Sequence, residues 1–151
     1  METKKDIGSA STSNLMNRLF QEKNLECFLE KNGLHMKLPS LQEYLQEKCH
    51  EKGMIPERIA NRGGIESSYC HQIFKGSRKP SRDKVIQLAF GLSLDLNETQ
   101  KILRIAGHSL LYPRVERDAA VIFCLHRKKS MVETQTLLHE LDLQLLGGDR
   151  E

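Results

Sequence analysis

Between Arg58 and Lys84 the chain carries seven basic side chains, Arg58, Arg62, Lys75, Arg78, Lys79, Arg82 and Lys84, against two acids, Glu66 and Asp83. The segments on either side are each slightly acidic, so the net charge of +3 comes entirely from this stretch. A localised basic surface is the footprint of a polyanion-binding face, and its chemistry is charge neutralisation and hydrogen bonding to phosphate. Within the same stretch Ile65, Cys70 and Ile73 share one side of a predicted helix. Ser67, Ser68, His71, Gln72 and Lys75 are left on its other faces as donors and acceptors.

Other chemistries find less support. Cys49-His50, Cys70-His71 and Cys124 with His126 juxtapose metal-binding types, but adjacent residues do not build the spaced chelate a metal site needs. The four cysteines form no C-x-x-C pair, which points to free, mostly buried thiols in a reducing cytoplasm. No nucleophile sits in a strand-to-helix elbow, and neither an enzyme nor a cofactor is expected. The longest apolar run, Ala119 to Leu125, is far too short to span a membrane, and the charged N-terminus leads into no signal core.

Helices must position these side chains. Ser40 with Glu43 opens a segment from Leu41 to Lys52 that Gly53 stops, and Ser130 with Glu133 opens one carrying Leu137, Leu138, Leu141 and Leu145. Asn97 with Gln100 reads as the start of a helix ending at Gly107, Ser81 to Phe90 as another, and Pro113 as the first turn of a helix through Leu125. Ser13 reads as the cap of a short N-terminal helix, and a second apolar cluster from Leu25 ends near Asn32-Gly33. No alternating apolar pattern argues for strands, and no internal repeat is found, so the chain reads as all-α. Two short helices meet at Gly63-Gly64, a corner whose positive φ suits glycine.

Ile59-Ala60, Gly64, Ile65, Ile73, Gly76, the basic loop to Pro80 and the Leu88-Ala89-Phe90-Gly91-Leu92-Ser93-Leu94 helix end together resemble the phage-repressor-like helix-turn-helix family, also called the XRE family. Ala106-Gly107, Leu111 to Arg114 and Arg117 to Ala119 look like small clostridial-type regulators that append a helical pair. The resemblance implies a five-helix repressor-like domain over residues 40–110, an N-terminal arm over 1–39 with short helices and a disordered start, and a C-terminal helical pair over 111–151. Carried over by alignment, the base-reading positions fall on Ser67, Ser68 and Gln72. His71, Lys75, Arg78, Lys79 and Arg82 fall toward the DNA backbone or minor groove. Pro56 stands where the family commonly has Gln, Phe74 where it has an acid, and Cys70 where it has an aliphatic anchor.

The resulting expectation is a cytoplasmic, sequence-specific double-stranded DNA-binding transcriptional regulator of bacterial or phage type, without catalysis. The runner-up keeps the fold but binds protein, as an antitoxin-like, kinase-associated or phage inhibitor component. A homodimer is expected, with Leu137, Leu138, Leu141 and Leu145 as its seam.

Overall fold

A computed structural model describes residues 11–148, and these form nine helices and no strand, as expected for an all-α chain. Two compact units divide between Pro39 and Ser40. No described helix is long and apolar enough to cross a membrane. The first unit pairs α1 (Thr12–Gln21) with α2 (Leu25–Met36). Arg18 donates to the Asn32 side chain at 3.0 Å, and Asn32 in turn donates to the Phe28 carbonyl. The cap of α1 is Ser11 rather than Ser13, and α2 runs past Asn32-Gly33. The rest of the expected disordered start lies outside the described residues.

The second unit holds α3 (Leu41–Lys52), α4 (Pro56–Gly63), α5 (Ser67–Lys75), α6 (Arg82–Gly91), α7 (Leu96–Ile105), α8 (Glu116–His126) and α9 (Met131–Glu140). One core runs through all seven helices, with Leu45, Ile59, Cys70, Ile73, Ile86, Leu88, Ile102, Leu103, Val121 and Leu138 almost wholly buried. The C-terminal pair therefore does not stand apart from residues 40–110, because Val121, Cys124 and Leu138 complete the same apolar interior. At the corner after α4, Gly64 adopts φ 68° and lets Ile65 N–H close onto the Ala60 carbonyl at 2.8 Å. Its neighbour Gly63 packs so closely on α6 that a Cβ there would lie 2.5 Å from the Gln87 carbonyl oxygen.

Two helix starts differ from the expected frame. The cap of α7 is Asp95, which accepts from Glu98 N–H while Glu98 accepts from Asp95 N–H; Asn97 is already inside the helix. Pro113 lies in a turn before α8, because the Tyr112 carbonyl accepts from Val115 and the Tyr112 N–H is held by Asp118.

The expectation of no internal repeat is overturned. Arg82-Asp83, Glu98-Thr99-Gln100 and Leu110-Leu111 recur thirty-five residues later as Arg117-Asp118, Glu133-Thr134-Gln135 and Leu145-Leu146. The recurrence is structural. Gln100 makes paired hydrogen bonds with the Leu111 backbone, and Gln135 makes the same pair with Leu146. Thr99 and Thr134 are both fully buried, each donating to the carbonyl of its helix cap. Even the positive φ of Ser93, 55°, recurs at Lys128, 56°. Helices α6–α7 and α8–α9 are thus two copies of one hairpin. Apolar period does not reveal the repeat because most core positions differ between the copies; the polar clasp positions are kept, with a few leucines such as Leu103 and Leu138.

The copies face each other through reciprocal ion pairs. Arg82 grips Asp118 through two bonds of 3.0 and 2.9 Å, and Arg117 grips Asp83 through two of 2.9 and 2.8 Å. Each arginine also donates to two carbonyls of its own copy, Ser109 and Leu110 for Arg82, Gln144 and Leu145 for Arg117. Each aspartate accepts one backbone N–H from the other copy, Asp118 from Tyr112 and Asp83 from Gly147, both at 3.0 Å. Exchanging the two copies maps this set of bonds onto itself, which defines a local two-fold relation.

Candidate nucleic-acid interface

Helix α5 is fixed on its inner side and open on its outer one. Cys70, Ile73 and Phe74 are buried, so Phe74 fills core, and burial pushes the Cys70 thiol up to about 11. Gly76 ends the helix with φ 80°, and Gln42 on α3 closes over it by donating to the Phe74 carbonyl at 3.4 Å. Ser67, Ser68, Gln72 and Lys75 are exposed, and His71 is half-exposed. Among the described residues the side chains of Ser67, Gln72 and Lys75 make no hydrogen bond or ion pair, whereas Ser68 donates to the Glu66 carboxylate.

His71 is held at 2.9 Å from Glu57 on α4, tying the two helices of the corner together on their outer side. A backbone hydrogen bond at its own position, helped by His71, keeps the Glu57 carboxyl below its ordinary value. The basic turn after α5 is partly pre-set. Arg78 stacks its guanidinium 4.7 Å above the Tyr69 ring, so a side chain that would otherwise sample many rotamers is held beside the open face of α5. Lys79 is exposed next to it. Lys84 extends the same cluster, its ammonium 5.7 Å from the Tyr69 ring centre.

Arg82 does not join this surface. Four of its five N–H groups go to Asp118 and to the Ser109 and Leu110 carbonyls, so its charge is spent on joining α6 to α8. The expected leucine seam is also divided. Leu138 is fully buried beneath α9 with Met131 and Thr134, Leu137 is half-buried, and only Leu141 and Leu145 are exposed, at 53% and 39%. A stripe read along one helix missed this because α9 packs on α6 as well as on α8.

Sequence reasoning also missed Tyr69 and the Asp83–Arg117 pair. Tyr69 is one position from Ser68 and three from Gln72, and only the fold brings Arg78 over its ring. The signal for the ion pairs was present as the twice-used Arg-Asp dipeptide. No family model, no curated protein and no solved structure matches the chain.

Proposed function

We propose that the chain is a sequence-specific double-stranded DNA-binding protein acting as a transcriptional regulator, with α5 as the helix that enters the major groove. The observation that carries this reading is the continuity of the open face of α5, Ser67, Gln72 and Lys75, with the Tyr69-stacked Arg78 and with Lys79. Gln72 has the donor and acceptor needed to bond adenine through N6 and N7, and Ser67 suits several base edges. Lys75, Arg78 and Lys79 supply phosphate contacts that set register without reading sequence. The likeness to repressor-like helix-turn-helix proteins supports the same assignment for α3 to α7.

The competing reading is a protein-interaction module built on this fold. It is favoured by Glu66, whose exposed carboxylate stands at the start of α5 and engages Ser68 where a base edge would have to compete. Selection from a random duplex library separates the two. An enriched motif, with log affinity falling linearly in log salt by about 0.9 per phosphate contacted, supports DNA binding. Recovery of no motif at low salt favours the interaction module.

A further inference from the structure

The outer side of the second repeat carries a groove of about 580 Å³ between α8 and α9, lined by Ala119, Phe123, Leu137, Leu141 and Leu143, with Glu116 at one end. Phe123 and Leu141 are 47% and 53% exposed. Their counterparts in the first repeat are Leu88, fully buried, and Ala106, half-buried; Leu137 corresponds to fully buried Ile102. The first repeat is packed on two sides, by α3 and α4 and by α8 and α9. Because Leu88 and Ile102 are fully buried, the open groove of the second repeat corresponds to a surface that the first repeat packs against the rest of its unit. The groove is a helix-packing surface that no other helix of the second unit covers.

We propose that a second copy of this chain covers it, with the two α8 helices running antiparallel across a two-fold axis. Charge along α8 selects this occupant. Glu116, Ala119, Phe123 and Arg127 follow one edge of the helix at three- and four-residue steps, acidic at the start and basic at the end. Arg127 stacks 5.0 Å above the Phe123 ring, which keeps its charge at the rim of the apolar patch. In an antiparallel pair Glu116 meets Arg127 of the partner subunit and the reverse, and the axis passes between Ala119 and Phe123.

A helical pair resembling α3–α4 does not fit. Gly91, which lets α4 approach until a Cβ would be 2.4 Å from the Ile59 carbonyl oxygen, is replaced in the second repeat by His126, and Ile105 by Glu140. The reciprocal chemistry proposed between chains is the one the repeats already use within the chain. This differs from the leucine stripe on α9, since Phe123 and α8 form the centre, and it does not depend on whether α5 binds DNA.

Light scattering and sedimentation of the full chain at about 10–100 µM, a range that populates dimers of micromolar Kd, decide it. The expected mass is twice 17.3 kDa. Phe123→Glu is expected to weaken association more than about tenfold with helical circular dichroism unchanged, since it places a charge in the apolar centre of the contact. Glu116→Arg and Arg127→Glu should each weaken it several-fold, because each turns both rim pairs into like charges, and the double swap should restore it. A monomeric wild type, a folded Phe123→Glu dimer, or a double swap no tighter than either single change overturns the proposal. The rim swaps keep the test decisive if Phe123→Glu fails to fold.

Discussion

Removal of Arg117 is the perturbation that most directly weighs the clasp between the repeats. Arg117→Ala deletes two bonds to Asp83 and one each to the Gln144 and Leu145 carbonyls, leaving Asp83 with the Gly147 N–H as its remaining bond partner. Breaking a fully buried ion pair from one side costs about 3–5 kcal/mol. The Arg117 and Asp83 side chains retain 20% and 12% exposure, which lets water recover part of that loss, so about 2–3 kcal/mol is expected. For a chain of this size that corresponds to a fall of about 5–10 °C in Tm. Burial alone would raise the Asp83 carboxyl, but the Arg117 hydrogen bonds, the Gly147 N–H and the charge of Arg117 hold it below its ordinary 3.8. A depressed folded-state value stabilises above the unfolded value and is lost as pH falls through the folded one. The stability gap between wild type and Arg117→Ala should therefore be full at pH 6–7 and shrink below about pH 4. Urea unfolding followed by circular dichroism at several pH values measures both effects. A gap under about 0.5 kcal/mol at neutral pH, or one unchanged down to pH 3, would refute the assignment of this pair as a charge-borne clasp.

The same reasoning extends to the candidate interface and the corner. Gln72→Ala should cost about 1–3 kcal/mol on a preferred duplex and relax the base preference at one position, read by competition binding. Arg78→Ala should weaken all duplexes alike and lower the salt slope by about 1, and Tyr69→Leu should reproduce part of that loss without removing a charge. Gly63→Ala should destabilise by about 1–3 kcal/mol in thermal unfolding, because the added methyl meets the Gln87 carbonyl oxygen rather than a movable side-chain end.

Legibility followed the range of the interaction. Caps are local, so Ser40 and Ser130 marked their helices correctly, and the limits of α3 agree with the reading to the residue. Asp95 was passed over for Asn97 because two capping frames overlap in Asp95-Leu96-Asn97-Glu98, and only the reciprocal bonds choose between them. The buried and open faces of α5 followed from helical spacing, so the exposure of Ser67, Ser68 and Gln72 was readable. Arg82 was not, since a basic residue after a basic turn looks like a phosphate contact until Asp118, thirty-six residues away, is seen against it. The repeat shows the same limit: most residues that recur are the polar clasp residues, and attention to apolar period passes over them.

The bond from Gly147 N–H to Asp83 links residues 64 apart, and it lies at the first turn of the central helix α6. During synthesis at about 5–20 residues per second, roughly 3–13 s separate the two ends of that bond. For about the first half of that interval Asp83 is without Arg117 and Arg82 without Asp118, since those partners are made only 34 and 35 residues after Asp83. The N-terminal turn of α6 therefore completes its bonds only after the second hairpin has been made.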